Sequence, residues 1–234
     1  MCTRFVYHGN DVITGFNFDI DLSEWSHKLI MEKERFYIGI LRPDGIYHSY
    51  HGVNQNGNVG TLLYVHGNSN GTYQNAPDCI TIANLAEQFI KARISYDDVL
   101  QIVKSKNIVY APDATMQAMF SDIHGRALVI EPGIGYREEQ NTCSLITNYS
   151  LLAPESTKDF IVPGDDRYER ASRFLNNHRD NFSLSDAFAL LEAVRQEGLW
   201  ATRVSFVYSA NEQAVYYTQN NDFAHIRKFA FPPA

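Results

Sequence analysis

Residues 1–19 read MCTRFVYHGNDVITGFNFD. Two short runs, TRFVY and VITGFNFDI, are rich in aromatic and β-branched residues and are separated by HGND, which has turn chemistry. The chain therefore opens on a pair of strands, and a cysteine sits directly in front of them. A small residue after the initiator methionine favours removal of that methionine, and Cys2 is small. Trimming would leave one residue carrying a thiol and a free α-amine, with ordinary pKa values of about 8.5 and about 7.7–8.0. That is a nucleophile and a proton acceptor on a single residue, which is what covalent catalysis at a carbonyl needs. The structural alternative is a small apolar residue that starts a first strand.

Working outward, RFYIGIL, then PDG, then IYHSYHG (35–52) reads as a second hairpin, with Asp44-Gly45 at its turn. GVNQNGNVGTLLYV (52–65) reads as a tight Asn/Gly turn and another strand. HGNSNGTYQNAPD (66–78) is polar, and reads equally as a surface loop or as a lid over a site. Helical periodicity begins at TIANLAEQFIKARI, where Ile82, Leu85, Ala86, Phe89 and Ile90 share a face. SYDDVLQIVKSK follows as a second helix with Ser95 as its cap. Strand character returns in RALVIEP, GYREEQ and CSLITNYSLL. DDRYERASRFLNNH and SLSDAFALLEAVRQEG are helical, the second expected to end at Gly198. The hairpin TRVSFVYSANEQAVYYTQ and the strand HIRKFAF close the chain.

Strands, two helices, strands, two helices, strands is an α+β order and not a βαβ alternation. Two sheets stacked face to face with helices outside would bury both the aromatic strand faces and the helix stripes. Residues 1–234, 44% hydrophobic and 20% charged, suit a single domain with a sizeable core and no linker.

A formal charge of −7 with no basic run longer than two residues argues against nucleic acid as a partner. No apolar run reaches the roughly 18 residues of a membrane span, and MCTRFVYHGND lacks the apolar core of a signal peptide. Three cysteines without C-x-x-C spacing do not make a disulfide framework, so a reducing, cytoplasmic setting is expected. Neither H-E-x-x-H nor a Walker-type loop occurs, so no metal or cofactor is expected.

Six segments in order, over nearly the whole chain, resemble the choloylglycine hydrolase family, the N-terminal nucleophile hydrolases that include bile salt hydrolases and penicillin V acylases. They are MCTRF, TGFNFD, HGVNQNGNVGTLLY, HGRALVIEP with LITNYS, VPGDDRYERASRF and RVSFVYSANEQAVYY. The resemblance implies a four-layer αββα sandwich of two mainly antiparallel sheets flanked by helices, and cleavage of a linear amide through a cysteine thioester.

Carried over residue by residue, it implies Cys2 as nucleophile, Asp19 orienting the amine, Asn148 donating to the oxyanion and Arg167 beside the thiol. Fixed donors matter because losing one typically costs about 3–4 kcal/mol of barrier. Read without the resemblance, Asp19 could end a strand, Asn148 could make an Asx turn, and Arg167 could be a solvated helix residue. The partner it implies is a small N-acyl amide, with assembly into homo-oligomers and no cofactor. Acyl transfer to an amine, or ligand binding without catalysis, are the alternatives.

The chain departs from the family pattern at Phe16, where an arginine is common, and at Leu63, where bile salt hydrolases carry an asparagine. Tyr149-Ser150 is a milder departure. Arg4, on the same strand face as Cys2, could replace the missing charge. Arg4, Phe16 and Leu63 are therefore expected to shape substrate binding. Phe5, Tyr7, Phe16 and Phe18 are expected to give the acyl pocket an apolar wall.

Overall fold

The computed structural model describes residues 2–139 and 141–232. Removal of Met1, and Gln140 at the end of the expected GYREEQ strand, lie outside them.

One sheet has six strands in the order β12-β1-β2-β13-β14-β15. Its members are β1 (Thr3–His8), β2 (Val12–Asp19), β12 (Cys143–Ile146), β13 (Thr202–Ser209), β14 (Ala214–Gln219) and β15 (Arg227–Ala230). The other has seven, β11-β10-β9-β6-β5-β4-β3. These are β3 (His27–Met31), β4 (Arg35–Leu41), β5 (Tyr47–Asn54), β6 (Val59–Tyr64), β9 (Met116–Ser121), β10 (Ala127–Glu131) and β11 (Gly135–Glu139). All pairings within both sheets are antiparallel. A small parallel pair, β7 (Cys79–Thr81) with β8 (Asn107–Val109), lies apart.

Three apolar clusters make the layering explicit. Between the sheets pack Val6, Phe16, Phe18, Phe36, Met119 and Phe206, with Cys2 at their margin. Helices α1 (Ile82–Ile90) and α2 (Tyr96–Ser105) bury Leu85, Phe89 and Val99 against Leu62, Phe120 and Leu128 of the seven-stranded sheet. Helices α3 (Arg167–Asn177) and α4 (Leu184–Ala193) bury Ala171, Leu175 and Leu191 against Phe5, Tyr7 and Val207 of the other. The expected αββα sandwich is the observed one. Strands β1 and β2 have apolar side chains on both faces because a layer lies on each side of them.

The expected elements are present, with three differences. Strands β3, β7, β8 and β9 were not expected, being short or poor in β-branched residues. Helix α4 stops at Ala193 and not at Gly198, whose φ of +74° instead opens the 3-10 turn Gly198–Trp200. The polar loop 66–78 is tied down at its start: Asn68 Nδ2 donates to Tyr110 Oη at 2.8 Å and to the Pro132 carbonyl at 2.9 Å. Among the described residues no hydrogen bond links it to Cys2.

Candidate active site

Strand register assembles the site. Strand β1 lies between β12 and β2, with Arg4 opposite Ile146 and Thr3 opposite Asn17. Continuing those antiparallel registers to the start of β1 sets Cys2 against Asn148 on one side and Phe18 on the other. On the next strand Asp19 pairs with Thr202. Arg167, the first residue of α3, reaches down from the helix layer. Cys2, Asp19, Asn148 and Arg167, scattered over 165 positions of sequence, thus meet at one end of the six-stranded sheet.

The contacts are close. Cys2 N donates to Asn148 Oδ1 at 2.6 Å, and the Cys2 thiol lies 3.8 Å from the Asp19 carbonyl oxygen. Arg167 Nη1 donates to the Cys2 carbonyl at 3.1 Å and lies 3.5 Å from Asp19 Oδ2. Arg167 Nη2 donates to Asn148 Oδ1 at 3.2 Å, and Thr202 Oγ1 donates to Asp19 Oδ1 at 2.6 Å. Asn148 spends one side-chain N–H on the Tyr64 carbonyl at 2.8 Å. An amide NH2 has two, so one is left for a ligand.

Burial sets the electrostatics. It pushes the Cys2 thiol up to about 11 and the Asp19 carboxyl up to about 7. Burial also opposes the Arg167 charge, but the hydrogen bonds it donates to Asp165 and the nearness of Asp19 outweigh it, and its pKa is raised. A cation in the first turn of a helix is disfavoured by the helix dipole. Here that is offset by Asp165, which grips Nε at 2.8 Å and Nη2 at 2.7 Å. A Cys2 thiol pushed this high is in its protonated form at neutral pH.

The residues expected to shape substrate binding are placed differently. Arg4, Phe16 and Leu63 are fully enclosed in the protein. Arg4 donates to the Phe5 carbonyl and, at 2.8 Å, to Ser121 Oγ on the opposite sheet, so it is a strut between sheets. Phe16 stacks on His51 with ring centres 5.3 Å apart. Strand alternation also splits the expected aromatic wall: Phe16 and Phe18 point between the sheets, whereas Phe5 and Tyr7 point to the helices and meet Phe182. Cys2 itself is 5% exposed. Two surface grooves, of about 460 and about 290 Å³, are lined by none of the four site residues.

Sequence reasoning missed four supporting residues. Asp165 and Thr202 hold Arg167 and Asp19. Gln117 Nε2 donates to the Thr147 carbonyl at 2.7 Å and steadies the turn that carries Asn148. Glu131, buried at the end of β10, accepts from the backbone N–H groups of Leu151 at 2.6 Å and Leu152 at 3.0 Å. Two of them stand in the family-like segments quoted above, Glu131 as the acid in HGRALVIEP and Asp165 as the first acid of VPGDDRYERASRF, but neither is singled out there. Among the described residues no cluster of three or more His, Cys, Asp or Glu could hold a metal, and no helix is long and apolar enough to cross a membrane.

No family model and no curated protein sequence matches the chain. Solved structures do. A C2A mutant of the conjugated bile acid hydrolase from Clostridium perfringens superposes with a TM-score of 0.70 at 16% identity, over 98% of this chain and 92% of that one. Penicillin V acylase from Agrobacterium tumefaciens gives 0.67 at 16% identity, over 94% and 83%. A Caenorhabditis elegans ortholog of N-acylethanolamine-hydrolyzing acid amidase gives 0.62 at 16% identity, over 89% and 93%. The chain has the αββα fold of the N-terminal nucleophile hydrolases. These neighbours are named as a hydrolase, an acylase and an amidase.

Proposed function

We propose that the chain belongs to the choloylglycine hydrolase family and hydrolyses a linear N-acyl amide, with Cys2 as nucleophile once Met1 is removed. The observation that carries this is the convergence of Cys2, Asp19, Asn148 and Arg167 at hydrogen-bonding distances. Names of the structural neighbours supply the reaction class.

In this reading the freed α-amine of Cys2 takes the thiol proton, and the thiolate attacks the acyl carbonyl. The tetrahedral oxyanion accepts the second N–H of Asn148. Collapse breaks the C–N bond, and the amine-held proton passes to the leaving nitrogen. Water then attacks the thioester with the α-amine again as base, and the carboxylic acid departs. Asp19 accepts a hydrogen bond from the amine and fixes its position. Arg167 favours the thiolate over the thiol. An acceptor amine in place of water would make the same thioester an acyltransferase intermediate, and product analysis separates the two.

A second reading, a ligand-binding relative without catalysis, is favoured by Phe16 and by the raised Cys2 thiol. The deciding experiment uses protein from its native host, whose N-terminus is read by intact mass. It is offered penicillin V, conjugated bile salts, acyl-homoserine lactones and N-acyl amino acids. Turnover of at least one amide, iodoacetamide labelling at Cys2 and loss of turnover in Cys2→Ala are expected. Full activity in Cys2→Ala would end the amidase reading.

A further inference from the structure

Arg167 stands between two carboxylates, and the one that grips it is not the one beside the thiol. Asp165 holds the guanidinium by its Nε/Nη2 edge at 2.8 and 2.7 Å, while Asp19 stands 3.5 Å from Nη1. Asp165 is itself fixed: the Tyr149 hydroxyl donates to its Oδ2 at 2.7 Å and accepts from Val162 N at 3.2 Å. The charged and titratable groups facing Asp165 are Arg167 from α3, Tyr149 from the turn after β12 and Asp19 at the end of β2. Those facing Asp19 are Arg167, Asp165 and Cys2.

We infer that Asp165, oriented by Tyr149, is a positioning residue of the thiol site: it keeps Arg167 Nη1 and Nη2 aimed at Cys2 and Asn148 and stops the guanidinium from closing on Asp19. The inference rests on the proposed role of Cys2. Its logic is competition. A buried guanidinium that loses one carboxylate turns to the nearest other one, because an unpaired buried charge is costly and a bidentate carboxylate pair is the strongest arrangement open to it. The nearest other one is Asp19. Closing the 3.5 Å gap would commit Asp19 to Arg167 and draw Nη2 off Asn148. Asp19 would then be lost to the Cys2 amine, and the thiol would lose its neighbouring cation.

The test uses protein whose N-terminus is verified as Cys2 by intact mass. It reads the rate of iodoacetamide alkylation at Cys2 against pH, together with kcat and KM for an amide that the wild type turns over. Asp165→Asn is expected to slow alkylation at pH 7.5 about tenfold and to move its midpoint up by about one pH unit, since the thiolate loses its neighbouring cation and faces an Asp19 that a closer Arg167 keeps ionised. Turnover should fall in kcat with KM within about threefold, and Asp165→Glu should recover most of the loss. Tyr149→Phe should give a smaller loss that adds nothing in the double variant, as expected of two residues acting in one chain of contacts. Asp166→Asn, a substitution at an exposed neighbour paired with Arg170, should match the wild type.

Wild-type alkylation rate and midpoint in Asp165→Asn, or full additivity with Tyr149→Phe, would overturn the inference. Should Asp165→Asn fail to fold, an unaltered alkylation profile in Tyr149→Phe overturns it alone. If the wild type turns over no amide, the amidase reading fails while the alkylation profiles still decide this one.

Discussion

Asp19 and Asp165 touch the same guanidinium, yet burial holds one carboxyl near 7, whereas hydrogen bonds from Arg167 and Tyr149 outweigh burial and hold the other down at about 2. Their contributions to stability therefore run in opposite directions. For Asp19 the folded state binds the proton more tightly than the unfolded chain. Stability is lost as pH rises from the ordinary carboxylate range, about 4, through 7. For Asp165 the folded pKa is depressed, so its contribution is present above about 4 and is lost as pH falls towards 2. Urea unfolding of Asp19→Asn should show a variant that gains on the wild type between pH 4 and pH 7.5. An equal difference at both pH values would mean that Asp19 ionises without cost. Asp165→Asn should be less stable than the wild type at pH 7, with the gap narrowing below pH 3.

The helices divide by how their first turns are built. Helix α2 begins with a capping box between Ser95 and Asp98, and α4 with one between Ser183 and Asp186. Helix α3 has no side-chain hydrogen bond from its cap residue, Asp166, and carries Arg167 at its first position. The uncapped helix is the one that delivers a charged side chain to the site. Ser183→Ala is expected to cost about 1 kcal/mol in chemical denaturation, and Asp166→Ala no more than about 0.5 kcal/mol. The turn after β12 is held from outside by Glu131. Glu131→Ala strands the N–H groups of Leu151 and Leu152 and should cost about 2–3 kcal/mol. The same substitution should slow turnover through a misplaced Asn148, whereas Ser183→Ala should leave turnover alone.

At the scale of the molecule, the layer between the sheets holds more buried aromatic rings than either helix–sheet interface, and one unusual guest. Arg4 is fully buried there, its Nε has no hydrogen-bond partner among the described residues, and burial pushes its pKa down to about 9. A buried charge without a counter-ion stabilises little, and an apolar side chain of similar length is often tolerated in its place. Arg4→Met should therefore melt within about 1 kcal/mol of the wild type or above it, and should alkylate at Cys2 at the wild-type rate. A large drop in alkylation would return Arg4 to the thiol site. Phe206→Ala, which empties the centre of the same layer, should cost about 3–5 kcal/mol.

Much of this was legible along the chain because it is local. Period-two runs such as TRFVY and VITGFNFD and period-3.6 stripes such as Ile82–Ile90 follow from how one residue's side chain points relative to the next. The cap at Ser95 is a three-residue pattern. Six short segments in order supplied Cys2, Asp19, Asn148 and Arg167 as candidates. What escaped depends on partners far away. Strand β9 has the unremarkable sequence MQAMFS and is a strand because β6 and β10 pair with it on either side. Arg4 and Cys2 share a strand face, yet Arg4 spends its donors on Phe5 and Ser121. Thr202 meets Asp19 across 183 positions, and Asp165 matters only because register and helix packing bring Arg167 over the end of β1. Sequence alone determined the layers and a thiol at their edge, since periodicity and turn chemistry are written within a few residues. Which charges surround that thiol, and which of them grips Arg167, was decided only by strand register and layer stacking, because electrostatic pairing depends on distance in space and not along the chain.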